Sequence, residues 1–220
     1  VDPHDGRTVR SLPRGFALGA LMCAVSGAQV LACDGADEPG PYASELVSFS
    51  AGPGAGFGQS RLPEVVLGPP VILSPAQGST DVLSLGRGGE VVLGFSGRTV
   101  VDGPGADLIV FENAFFIGGD PSLVFAELGE VSVSMDGQTW AVFPCGADGE
   151  GCAGQTPGQP HDATAPGPLD PSLTGGDTFD LAEVGLAEAR WVRIRDLGTG
   201  GEAPSAGFDL DAVGAVHFAP

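Results

Sequence analysis

At 220 residues the chain has the length of one domain with a substantial core, and its short, regularly interrupted runs of Val, Leu, Ile and Phe exclude disorder despite 37 Gly and 19 Pro. A formal charge of −19, with no Lys, excludes nucleic-acid binding, which needs a basic stripe, and electrostatic docking on anionic lipid. A GC-rich genome, which depletes Lys and Asn codons, or adaptation to salt accounts for the total charge, but not for the grouping of acids in particular Gly-rich turns.

In chain order, Arg7, Arg10 and Arg14 precede an apolar stretch at 16–32, so residues 1–32 read as a secretory signal peptide helix. The stretch ends Val30-Leu31-Ala32-Cys33, which resembles a bacterial lipobox. That resemblance implies lipidation of Cys33, and acyl chains contributing roughly 0.8 kcal/mol per buried CH₂ would then anchor the protein. An ordinary signal peptide cleaved nearby is the alternative. Residues 33–45, polar, acidic and containing Pro and Gly, read as a tether, and 46–220 as a single β domain. The glycine-rich run from Gly52 to Gly58 fits neither the dinucleotide fingerprint nor a Lys-dependent phosphate loop.

Strands are expected at 90–95 and 108–111. The second is apolar on both faces, which places it centrally in a sheet. Residues 130–135 alternate strictly, which turns Val131, Val133 and Met135 inward, and Asp136-Gly137 predicts a tight turn into a partner strand at 139–143. Residues 190–195 alternate with Val192 and Ile194 inward, and 208–218 closes the domain. Segment 146–178 lacks periodicity, and a loop of that length is usually functional or stapled. Cys145 and Cys152 are expected to staple one end as a disulfide, in keeping with export, because no further Cys or His pair completes a metal set. One short helical turn is expected within 180–189.

The acids define the candidate sites. Asp209 and Asp211 stand at i and i+2 of the last strand, on one face, roughly 7 Å apart. Facing inward, two unpaired carboxylates would cost several kcal/mol, so a cation must meet them, or Arg193 or Arg195 from a neighbouring strand. Asp107, Glu112 and Asn113 form a second group after an acidic turn that begins at Asp102. Glu112 directly follows the central strand, and Asn113 is the only Asn in the chain. Asp177, with Asp180, stands in a Gly-Gly turn where helix capping competes with ligation. Only six Arg follow Ala32, so Ca²⁺, which takes several oxygen ligands from flexible loops, is the cofactor that satisfies these groups. The metal candidates are therefore Asp209, Asp211, Glu112, Asn113, Asp107 and Asp177. Trp191, Arg193 and Arg195 share one face of their strand and form the candidate ligand-binding stripe, with packing beneath a loop as the alternative.

The run Val131-Ser-Val-Ser-Met-Asp-Gly-Gln-Thr-Trp140, with Ala189-Arg-Trp-Val-Arg-Ile194 and Gly207-Phe-Asp-Leu-Asp-Ala-Val213, resembles the discoidin or galactose-binding-like domains. The turns around Asp102–Asn113 and Gly175–Asp180 are also similar to those of bacterial surface lipoproteins. The resemblance implies an all-β jelly-roll sandwich, a structural Ca²⁺ and a ligand site in loops at one end, with carbohydrate or another surface polymer as the partner. The glycan-site aromatics of such domains have no matching positions here. Catalysis finds no motif: His161 and His217 belong to no zinc pattern, and no nucleophile elbow is present. The expectation is an exported, lipid-anchored protein of the cell envelope or outer surface, touching membrane through its anchor only and binding without catalysis. A structural or adhesive envelope protein is the alternative, and a carboxylate-dependent hydrolase the weaker one.

Overall fold

The computed structural model describes residues 40–164, 168–198 and 200–219. The signal peptide, the lipidation candidate Cys33 and the first part of the tether lie outside the described residues.

The fold is mostly β, with antiparallel sheets throughout. One sheet has five strands in the order β1 (Glu45–Ser50), β3 (Glu90–Gly94), β12 (Trp191–Asp196), β8 (Gly129–Ser134) and β9 (Ala141–Val142). A second has four, in the order β10 (Asp177–Phe179), β5 (Leu108–Glu112), β13 (Asp209–Ala215) and β2 (Leu83–Ser84). Two smaller sheets are β11 (Glu188–Ala189), β4 (Thr99–Val101) and β14 (Phe218–Ala219), and the hairpin of β6 (Phe115–Phe116) and β7 (Val124–Phe125).

The two larger sheets share one core, which gives a sandwich-like arrangement. Alternation turns Val91, Leu93, Val131, Val133, Val192 and Ile194 of the first sheet into the same apolar cluster as Leu108, Val110, Phe179, Leu210 and Val213 of the second. Strand β5 lies between β10 and β13, as its two apolar faces require. Its other face, Ile109 and Phe111, packs with Tyr42, Ala212 and Val216 beneath loop residues Ile72 and Leu169. That second cluster explains why a strand in a two-layer fold carries no polar face.

Two local expectations need correction. Met135 is exposed rather than inward, because β8 ends at Ser134 and the chain turns there. The turn to β9 is also longer than a tight hairpin and spans 135–140. Asp136 organises it, with one carboxylate oxygen accepting from the Gln138 and Thr139 amides at 2.8 and 2.7 Å. The short helical turn forms at Leu181–Val184, capped by Asp180, whose side chain accepts from Ala182 N at 2.9 Å.

The long irregular segment is tied down at several points. Cys145 and Cys152 form the expected disulfide. Single β-bridges join Gly129 to Ala153 and Gly158 to Gly175. A short helix α1 (Pro171–Thr174), capped by Asp170, brings the chain into β10.

Candidate metal centre

The site lies where β5 ends and β13 begins. Pairing places Leu210 opposite Glu112 and Ala212 opposite Phe111, so Asp211 is the extra residue of a β-bulge. The bulge undoes the simple i, i+2 geometry expected for Asp209 and Asp211, and the two acids enter different surroundings. Asp209 accepts from the Ser84 hydroxyl of β2 and from the Asn113 side chain. Asp211 instead takes the Val71 amide, at 3.1 and 3.3 Å to its two oxygens. Asn113 uses its side-chain carbonyl to accept from Ser79 N and its backbone N–H to reach Asp209 O at 3.1 Å. Glu112, Asn113, Asp211 and Ser79 line a cleft of about 10 Å³, room for a single water or ion.

Glu112 has no such partners. It is 5% exposed, and neither carboxyl oxygen has a hydrogen bond. Burial, reinforced by the negative charges of Asp209 and Glu127, holds its pKa well above the ordinary carboxylate range; the nearby Asp209 backbone opposes the rise without completing a hydrogen bond. Glu127, 3% exposed but close beneath the surface, has one oxygen without a partner. That oxygen packs against Gly200 and Gly201, where a Cβ at either glycine would stand 2.8 Å away. Burial, then Asp209 and Asp196, push the Glu127 pKa up to about 7. Asp209 is raised by burial too, offset in part by Ser84 and Asn113. Among the described residues no Arg or His forms an ion pair with Glu112, Glu127 or Asp209. The arginines considered as partners stand elsewhere. Among the described residues these acids have no ion-pair partner, and Glu112 presents two unpartnered buried oxygens of the kind a hard divalent ion takes.

Other buried acids are engaged with backbone amides. Asp177 accepts from Gly154, Gln155 and Thr156 at 2.6, 3.1 and 3.0 Å, which fastens the long loop to β10. Asp196 accepts from Gly88, Gly198 and Phe208 at 2.7, 2.5 and 2.8 Å. Asp107 takes Gly103 N, Leu181 N and His217 Nδ1, each at 2.8 Å. Asp102, Asp107 and Asp180 bring carboxylate oxygens within 4.8 Å of one another, a second group able to hold a metal ion. Within it Asp102 is exposed and Asp180 caps the helical turn.

The Trp191, Arg193 and Arg195 stripe lies on the outer face of the five-stranded sheet. Arg193 donates to Ser132 Oγ at 2.9 Å, lies 3.8 Å from Glu90 and stacks on Trp140 at 4.4 Å. Trp191 is half-buried beside Gly94 and Gly137, with Arg190 over its ring at 5.6 Å. Arg195 is exposed, in register with Glu90 and Glu130. His161 is structural in its contacts, accepting from the Tyr42 hydroxyl at 2.7 Å and donating to Gln159 O at 2.8 Å.

Sequence reasoning missed Glu127 and Asp196. The available signal for Glu127 was an acid inside the apolar run Phe125-Ala-Glu-Leu128 immediately before a strand. Asp196 ends β12, a place where a solvated Asp reads as ordinary. The chain matches no protein-family model and no curated protein.

Proposed function

We propose that this chain is an exported, lipid-anchored, non-catalytic binding module of the cell envelope: a galactose-binding-like jelly-roll sandwich, supported by Ca²⁺, that binds carbohydrate or another surface polymer. The observation that carries the reading is Glu112, a buried carboxyl with neither oxygen hydrogen-bonded, beside Asp209 and Glu127. A buried charge of this kind is tolerable when a cation shares the site. Ca²⁺ suits it because the donors are oxygens on loop and strand ends, and Ca²⁺ accepts six to eight such ligands in flexible geometry. The outer-face residues Trp140, Trp191, Arg193 and Arg195 supply aromatic and guanidinium groups of the kind that stack on and hydrogen-bond to sugars.

The structural envelope role remains as a second reading because one observation favours it. Trp140 with Arg193, and Arg190 with Trp191, already stack on each other, and Arg193 already uses Ser132 and Glu90. Screening the full chain on a polysaccharide array with millimolar Ca²⁺, wild type beside Arg193→Gln, separates the two. Binding that Arg193→Gln weakens at least tenfold supports the module. Failure of a correctly folded chain to bind any polysaccharide would transfer the case to the structural role.

A further inference from the structure

We infer that Trp191, flanked by Glu45 and Arg190, is the sugar subsite on the outer face of the five-stranded sheet, and that the polymer it takes is uncharged. The inference rests on the binding-module reading above and adds two residues, the place of contact and the class of polymer. Both tryptophans of the chain, Trp140 and Trp191, belong to this face, but their surroundings differ. Trp140 is capped by Arg193 at 4.4 Å, and that guanidinium also donates to Ser132 Oγ at 2.9 Å and lies 3.8 Å from Glu90. The pair is a closed unit. Trp191 is supported from beneath by two glycines. A Cβ at Gly94 would stand 3.3 Å from the indole Cδ1, and one at Gly137 would stand 3.6 Å from its Cε3 and Cζ3. The indole therefore reaches from β3 to the 135–140 turn and covers Ser134, its cross-strand neighbour, which is 1% exposed. Trp191 itself stays half-buried, and the described cation over its ring is the exposed Arg190, at 5.6 Å.

Polar groups border the ring on two sides. Glu45 Oε2 would also stand 3.3 Å from a Cβ at Gly94, which sets a carboxylate beside the pyrrole edge of the indole. Glu45 and Arg190 are exposed, and among the described residues neither side chain is engaged in a hydrogen bond or an ion pair. An apolar plate with an acceptor at its edge and donors above it suits a pyranose, whose C–H face stacks on the ring while its hydroxyls hydrogen-bond around it. The charge balance points to an uncharged polymer. Arg193 is met by Glu90, and Arg195 stands in register with Glu90 and Glu130. With Glu45 and Arg190 added, the glutamates match the arginines, in a chain whose formal charge is −19. An acidic polymer finds no net positive field on this face and meets repulsion beyond it, whereas a neutral one is indifferent to both. Arg193 and Arg195 border the path along β12 that neighbouring sugar units follow.

The test is titration of the full chain with dextran, a soluble β-glucan and galactan, set beside carboxymethyl dextran and hyaluronate, read by tryptophan fluorescence and affinity electrophoresis. In Trp140→Phe the remaining tryptophan is Trp191, and a neutral polymer is expected to shift its emission saturably. Trp191→Phe is expected to lose that shift, and Trp191→Ala to weaken binding at least tenfold. Glu45→Gln, at an exposed position, is expected to weaken it at least threefold and decides the matter if Trp191→Ala does not fold. Raising NaCl from about 50 to about 500 mM should change the affinity less than twofold. Binding confined to the acidic polymers and weakened by salt overturns the inference while the module reading stands. Binding that Arg193→Gln weakens, with the Trp191 and Glu45 variants behaving as wild type, places the contact elsewhere on the face and overturns it in the same way. If the folded chain binds none of these polymers, both readings fail.

Discussion

Glu112 is the residue whose surroundings are hardest to reconcile with a chain that binds nothing. Asp107, Asp177 and Asp196 are also buried, yet each collects two or three amide donors, and an amide-bound carboxylate is an ordinary way to fix a turn. Glu112 collects none, and its nearest charges are alike. The effect of Glu112→Gln should therefore depend on the medium. In EDTA the variant loses a repulsion and should melt at or above wild type, by up to about 3 kcal/mol, or several degrees for a domain of this size. In millimolar Ca²⁺ it should gain little, because a carboxylate ligand is gone. Melting curves of the two proteins in both media check this. A variant melting well below wild type in EDTA would mean that the carboxylate has a stabilising partner in the chain.

At the scale of elements, the acids that do have amide partners hold the long segment in place. Asp177→Ala would free the Gly154, Gln155 and Thr156 amides together, and the expected cost is about 2–4 kcal/mol. Urea unfolding measures it, and faster exchange at those three amides locates it. A loss below about 0.5 kcal/mol would show that the loop is held by its other ties. Replacing both Cys145 and Cys152 with Ser should cost about 2–3 kcal/mol, as expected for so short a ring, read from the same urea midpoints. An unchanged midpoint would contradict that role. The strands were legible because period-2 alternation at Val131 and Val133, and at Val192 and Ile194, is imposed by one buried face. Asp209 and Asp211 misled for the same reason: alternation assumes regular pairing, and the bulge between Leu210 and Ala212 sets the two acids in different environments. Met135 likewise continued a pattern past the point where the strand stopped. Glu127 was not legible, since its burial comes from the loop at Gly200 and Gly201, far from it in sequence, folding against it.

For the whole molecule, the raised carboxylates set the sign of the pH response. Glu127 and Asp211 are pushed from 4.5 and 3.8 to about 7 by burial, with like charges adding to both. A carboxyl whose folded pKa exceeds its unfolded value binds more protons when folded. Its contribution to stability is then fully present below the unfolded pKa and is lost as pH rises through the folded one. In EDTA the melting temperature should fall between about pH 4.5 and pH 7.5. Asp136 acts in the opposite sense: amide hydrogen bonds lower its pKa to about 2, so its contribution is lost as pH drops from about 4 toward 2. A melting temperature that rises steadily from pH 4.5 to pH 7.5 in EDTA would show that the buried acids are not destabilised by ionising. Saturating Ca²⁺ should flatten or reverse the decline, because the ion competes with protons for the same oxygens.

Binding of Ca²⁺ by the native carboxylates at the β5–β13 end is read out by thermal unfolding of the full chain in excess EDTA and then across a Ca²⁺ titration to millimolar. A saturable rise of about 5–10 °C is expected when Ca²⁺ reaches roughly a hundred times its dissociation constant, with loss of most of that rise in Glu112→Gln. A melting temperature indifferent to Ca²⁺, or a rise of equal size in Glu112→Gln, would contradict it.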